Sequence, residues 1–166
     1  VQVLKAINYN VPQKRERLIL VGIRKDIDIK YEYPKPTHSK TGEFLPKWVS
    51  IGEVLSDIPE PDAKHKLKNH ICSNYKVVNR DFTGHRKTDP NKPSPTILAR
   101  GNGGGGVCAI PHPNNKRRLT VRESAIIQTF PIDFEFMGSL TSMYRQIGNA
   151  VPVKFAKKLA EGFKKK

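Results

Sequence analysis

Acidic residues are scarce in this chain of 166: 15 Asp plus Glu stand against 30 Lys plus Arg, giving a formal net charge of +15 and a sequence pI near 10.0. Solubility needs far less charge of one sign, so the excess points to a polyanionic partner. Nucleic acid is the commonest, and an anionic membrane surface or a ribosomal setting has the same arithmetic. Cysteine is equally sparse. Cys72 and Cys108 lie 36 residues apart, which excludes a disulfide framework or a Cys/His metal array and fits a reducing, cytosolic compartment. No apolar run approaches the roughly 20 residues of a membrane span, and no signal-peptide layout opens the chain. The histidines at 38, 65, 70, 85 and 112 have no metal spacing, no pair of carboxylates stands out, and neither thiol has a basic dyad beside it. No metal and no nucleophile are therefore expected. The first residue is Val1 rather than Met, and a strand begins at once, so part of a longer protein is expected to be missing.

What is present suits about one domain with a modest core, since 37% of residues are apolar. Val1 to Leu4 alternates as a strand does, and Asn8 to Pro12 has turn composition. Arg17 to Ile23 is a continuous apolar run and is expected to form a parallel strand covered on both faces. So few other strands are visible that half of its sheet is expected elsewhere, leaving an apolar patch on this chain. Ser50 and Glu53 suggest a short capped helix, and Thr120 and Glu123 a second one stopping just before Pro131. Short strands are expected at Thr96 to Ala99 and at Gly106 to Ile110. Tyr144 to Pro152 reads as a turn into a last helix that carries Phe155, Leu159 and Phe163, with Lys164 to Lys166 at its C-terminal dipole.

Positive charge concentrates between residues 60 and 122, where thirteen Lys or Arg face four Asp or Glu. Lys116, Arg117, Arg118, Arg122 and the adjacent His112 are candidates for phosphate contacts, with a solvated charged face as the alternative. His85, Arg86 and Lys87 lie in a Gly- and Pro-containing loop suited to reading base edges. Arg100 opens the run to Gly106, whose glycines let backbone approach a phosphate or make a flexible hairpin tip; the run lacks the spacing of a P-loop or a dinucleotide fingerprint. Gln13, Arg15 and Arg17 alternate onto one side if the chain there is extended, which makes a fork for phosphate or a base carbonyl, or a solvated strand edge.

Three blocks in fixed order are more specific. They are Tyr9-Asn10-Val11-Pro12-Gln13-Lys14-Arg15-Glu16-Arg17, then Arg118-Leu119-Thr120-Val121-Arg122-Glu123-Ser124-Ala125 with Gln128-Thr129-Phe130-Pro131, and finally Tyr144-Arg145-Gln146-Ile147-Gly148-Asn149-Ala150-Val151-Pro152. They resemble the late motifs of bacterial DNA (cytosine-5) methyltransferases, and Pro93-Ser94-Pro95-Thr96-Ile97 resembles that family's Pro/Thr target-recognition element. The resemblance implies that Arg17 contacts a flipped cytosine, that Arg15 shapes the same pocket, and that Gln13 orients the block. It implies Thr96 on the backbone of the flipped nucleotide, base reading by loops around residues 75 to 92, and Asn149, Ala150 and Val151 beside the S-adenosylmethionine cofactor. Arg118, Thr120, Arg122 and Glu123 take architectural roles at the domain junction.

The family's glycine-rich cofactor loop, its Pro-Cys nucleophile and its Glu-Asn-Val motif are absent, and neither Cys72 nor Cys108 follows a proline. Attack of a thiolate on C6 activates C5 of the flipped base, so a chain without that thiolate is expected to be inactive alone. The expected fold is α/β: the incomplete edge of an S-adenosylmethionine-dependent methyltransferase domain plus a small, loop-rich target-recognition domain. The divisions are 1–24 for the strand and Gln/Arg motif of the catalytic domain, 25–117 for target recognition, and 118–166 for the interdomain helix and the return to the catalytic domain. The expected partners are double-stranded DNA and the N-terminal half of the enzyme, as the same polypeptide or a separate subunit. No membrane partner is expected, and the setting that the resemblance implies is bacterial, cytoplasmic and part of restriction-modification. A non-catalytic, sequence-specific DNA-binding module is the alternative, and an RNA-binding or ribosomal protein is a weaker one.

Overall fold

The computed structural model describes residues 1–73, 87–99 and 110–165. Strand β1 (Gln2–Lys5) leads into a 3-10 helix (Ala6–Tyr9) that ends on Asn10 in the left-handed conformation, φ 60°. The chain then returns as β2 (Glu16–Ile19), antiparallel to β1, with Leu4 opposite Arg17 and Val3 opposite Leu18. β3 (Ile29–Tyr31) and helix α1 (Ile51–Leu55) follow; after them come α2 (Val121–Ile127), α3 (Leu140–Asn149), α4 (Val153–Ala160) and β4 (Phe163–Lys165). β4 pairs antiparallel with β3. The described residues thus form an α/β arrangement of two small sheets and a few helices.

Local signals explain the helix starts. The Thr120 hydroxyl accepts from Glu123 N and the Glu123 carboxylate accepts from Thr120 N, the full capping box that the sequence suggests, worth about 1 kcal/mol. Ser50 caps α1 by accepting from Glu53 N, and Ser139 caps α3 by accepting from Ser142 N. α2 ends at Ile127, three residues earlier than Pro131 alone would require, because Thr129 turns left-handed at φ 59°.

Two apolar clusters hold these elements. The larger joins α1, α2 and α3 through residues including Ile51, Leu55, Val121, Ala125, Ile127, Met143 and Ile147, with Ile97 from the connecting chain. The smaller packs the β1–β2 hairpin against α4 through Leu4, Ala6, Tyr9, Val11 and Phe155. The described parts of 25–117 contribute to both, Ile51, Leu55 and Ile97 to the first and Tyr33 to the rim of the second.

The structure differs from expectation at four places. β2 is antiparallel and largely exposed, not a buried parallel strand: one hairpin face lies on the smaller cluster, while Val1, Val3, Leu18 and Leu20 on the other are 57–75% exposed. Tyr144 to Asn149 is helix rather than turn, because Leu140, Met143, Tyr144 and Ile147 fall at helical spacing on the larger cluster. The last helix stops at Ala160, and Gly162 turns the chain so closely onto β3 that an added Cβ would meet Glu32 O at 2.5 Å. Phe163 therefore stacks edge-on against Tyr31 in β4, and Lys164 binds Glu32 instead of a helix end. Finally, Thr96 to Ala99 forms no strand, only an extended stretch beside Gln13. The strand expected at Gly106 to Ile110, with Cys108, lies almost wholly outside the described residues.

Candidate functional site

Pro12, Gln13, Lys14 and Arg15 run alongside Ser94 to Ile97. Ser94 N donates to Pro12 O, Lys14 N donates to Ser94 O at 2.8 Å, and the Thr96 hydroxyl donates to Lys14 O. Gln13 is fully buried and works at both ends: its amide nitrogen donates to Gln128 Oε1 at 2.9 Å, and its oxygen accepts from Ile97 N at 3.0 Å. Gln128, at the end of α2, donates onward to Ile147 O at 2.6 Å and Ala150 O at 3.2 Å. A buried amide chain thus ties the first sequence block to the second and the second to the third. Gln128 received no role from the sequence; its position just before the helix-ending Thr129-Phe130-Pro131 was the available signal.

Arg15 locks the same seam. Its guanidinium donates to Ile97 O at 3.0 Å and Gly148 O at 3.2 Å. Burial, then the like charge of Arg17, lower its pKa to about 10, so it stays cationic at neutral pH. Arg17 differs: it is exposed on β2, donates to Glu16 O at 2.6 Å, and has no carboxylate partner among the described residues. Between them opens a cleft of about 540 Å³ lined by Arg15, Arg17, Leu98, Ala99, Gly148 and Asn149. Gly148 is required there, because an added Cβ would lie 2.3 Å from Ala99 N. One buried and one exposed guanidinium on a cleft open to solvent make a seat for an anion or for the carbonyl edge of a base.

The remaining expected site residues are distributed differently. Asn149 is exposed and lines that cleft, Val151 is exposed, and Ala150 is half-buried. Arg118, Thr120, Arg122 and Glu123 are all buried. Arg122 donates to the backbone oxygens of Lys68, Pro131 and Phe134, and Arg118 lies 4.3 Å over the ring of Tyr144. Thr120 also contacts His70, whose other ring nitrogen meets Pro59 O at 2.7 Å; burial lowers the His70 pKa, and a neutral ring donating to Pro59 fits both contacts. Arg117, expected on DNA, is instead held within the fold. It donates to Glu60 at 2.7 Å and forks onto both oxygens of buried Glu123 at 2.8 Å. Lys87 and Lys116 are exposed, Thr96 is half-buried, and His85, Arg86 and Arg100 lie outside the described residues.

Among the described residues no three His, Cys, Asp or Glu side chains gather to hold a metal, and no helix is long and apolar enough to cross a membrane. Cys72 is a free thiol whose pKa is raised, chiefly by burial, which opposes the thiolate form.

Comparison with known proteins bears on the whole chain. Residues 1–165 match the family model described as C-5 cytosine-specific DNA methylase. The Type II methyltransferase M.NgoFVII of Neisseria gonorrhoeae is 36% identical over 175 residues, covering 92% of this chain and 46% of the relative. M.BbvI of Brevibacillus brevis is 36% identical over 177 residues, covering 92% and 45%. The chain spans about half the length of these relatives. A crystal structure described as a DNA modification methyltransferase encoded within an E. coli prophage superposes with a TM-score of 0.62 at 20% identity, over 97% of this chain and 58% of that one, a likeness of fold.

Proposed function

The chain belongs to the C-5 cytosine-specific DNA methylases, and from that premise we propose that it is the C-terminal portion of a DNA (cytosine-5) methyltransferase, supplying target recognition and the pocket arginines. The complete enzyme transfers a methyl group to C5 of a cytosine flipped out of duplex DNA, and the remaining motifs come from the same polypeptide or from a partner subunit. The observation that carries this reading is the arginine cleft, lined by the first and third sequence blocks with Leu98 and Ala99 and braced from behind by the bonds of Gln13 and Arg15 to Gln128 and Ile97.

In this reading Arg17 donates to the polar edge of the flipped base or to its phosphate. A cation there draws electron density away from the ring and favours nucleophilic addition at C6. Arg15 positions: its two backbone acceptors fix the cleft wall, and Gln13 with Gln128 holds the three blocks in register. Thr96 and Lys14 line the path of the nucleotide backbone. His85, Arg86, Lys87, Arg100 and Lys116 are the proposed readers of flanking DNA, while Arg118, Thr120, Arg122 and Glu123 maintain the junction between 118–166 and the target-recognition span 25–117. The thiolate in this reading comes from elsewhere: neither Cys72 nor Cys108 follows a proline, and burial raises the Cys72 pKa.

S-adenosylmethionine supplies the methyl group when bound. The described residues offer it one edge of the cleft, the exposed Asn149, beside two guanidiniums that oppose a sulfonium cation. They do not make a cofactor site by themselves, which supports placing most of it in the other half of the enzyme. The bare Val1, Val3, Leu18 and Leu20 face supports the same arrangement.

The test is methyl transfer from labelled S-adenosylmethionine to duplex DNA. The chain alone is expected to be inactive, and activity is expected when it is joined to, or mixed with, a polypeptide carrying the Pro-Cys and Glu-Asn-Val motifs. DNA binding without activity in any combination would instead make it a specificity module.

A further inference from the structure

Residues 39–48 form a braced loop that the arginine cleft does not use. Ser39 N donates to Pro46 O and Trp48 N donates to Ser39 O, both at 2.9 Å, while Gly42, at φ 78°, donates to the Ser39 hydroxyl. The Trp48 indole donates to Asn8 Oδ1 at 3.0 Å, and the backbone amides of Thr37 and His38 both donate to Asn8 O, which ties the loop base to the turn before the Gln/Arg block. At its tip stands Phe44, 96% exposed, more than any other large apolar side chain among the described residues. The bracing thus presents one bare ring to solvent on a defined backbone.

The surroundings identify the partner's chemistry. A second cleft, of about 280 Å³, lies at the loop base and is lined by Lys40 and Trp48 from the loop, by Lys5 of β1 and Ile7 of the 3-10 helix, and by Lys14, Arg15 and Glu16 from the first block. It shares Arg15 with the first cleft, so the loop flanks the candidate site directly. Glu16 pairs with Lys5, and Glu43 is the single acid between residues 39 and 48; Lys14, Lys40 and Lys47 have no ion pair among the described residues. A protein interface buries contiguous apolar area, whereas one ring among unpaired lysines matches a polyanion with flat, stacking faces.

We propose that the 39–48 loop is a second DNA contact, in which Phe44 stacks on or wedges between bases beside the target nucleotide while Lys40 and Lys47 bind the flanking phosphates. This rests on the proposed reading of duplex DNA as the substrate. Its role is to hold the strand next to the arginine cleft, with affinity from stacking that salt does not screen.

The experiment is fluorescence anisotropy of the full chain on a labelled duplex across a salt series. Phe44→Ala is expected to weaken binding about tenfold with the salt slope unchanged, and Phe44→Trp to restore it. The Lys40→Ala/Lys47→Ala double variant is expected to flatten the slope by about two ions. Because these side chains are exposed, thermal melts should match the parent. Wild-type binding with an unaltered Phe44→Ala affinity overturns this inference and leaves the methyltransferase reading standing. A parent chain that binds no duplex DNA at all overturns this inference and the reading beneath it.

Discussion

Replacing Gln128 by methionine keeps the side chain's length and removes its hydrogen bonds. In the folded chain, Gln13 Nε2 would lose its acceptor 2.9 Å away and Ala150 O would lose a donor at 3.2 Å; Ile147 O would keep the Ala150 amide, also at 3.2 Å. The Gln13 amide would be stranded at a fully buried position and Ala150 O at a half-buried one. At roughly 1–3 kcal/mol for each stranded group, the loss comes to about 2–6 kcal/mol. The expected result in urea denaturation is a midpoint shifted by that amount with an unchanged slope. Removing Gln13 as well should cost less than the sum of the single changes, by about 1 kcal/mol or more, since neither amide then faces an empty partner. A loss below about 0.5 kcal/mol, or strict additivity, would refute the view that this amide chain joins the three blocks.

The two arginines should separate by assay: Arg17→Ala is expected to weaken DNA binding and leave the melting temperature unchanged, while Arg15→Ala lowers the melting temperature because it strips donors from Ile97 O and Gly148 O. Gly148→Ala is expected to destabilise by about 1–3 kcal/mol in the same denaturation assay, because a Cβ there collides with the backbone of Leu98 and Ala99. Burial is the largest cause lowering the pKa of His38, His70 and His112 from 6.5. As pH falls through about 6.5 the unfolded chain therefore takes up protons before the folded one, so stability should be level above about pH 7.5 and decline below it. His70→Asn should flatten that decline in melts between pH 5 and 8, and an unchanged slope would show that the His70 ring protonates freely in the fold.

By itself the sequence determined the features whose causes lie within a few residues. Thr120 and Glu123 are three apart, so their reciprocal bonds, and with them the start of α2, follow from local chain geometry. Ser50 and Glu53 mark α1 in the same way, and the excess of lysine and arginine is a property of composition. The ordered blocks also carried the family, because their residues are read without knowing what they touch. α3 was not among these features: Gly148 and Asn149 read locally as a turn, and only the larger cluster gives Leu140, Met143, Tyr144 and Ile147 a common buried face.

Tertiary structure decided whatever depends on a partner far along the chain. Arg117 looks like its neighbour Lys116 in sequence, yet Glu60, 57 residues away, and buried Glu123 occupy its guanidinium. Phe163 fits a helical stripe until β3, more than 130 residues earlier, offers a strand edge with better packing. Arg15 and Arg17 alternate identically on paper, but only Arg15 meets Ile97 O and Gly148 O and becomes a buried clamp, while Arg17 stays free at the cleft. Caps and turns are set by bonds spanning three or four residues; burial, ion pairing and strand pairing are set by which distant surfaces the folded chain brings together.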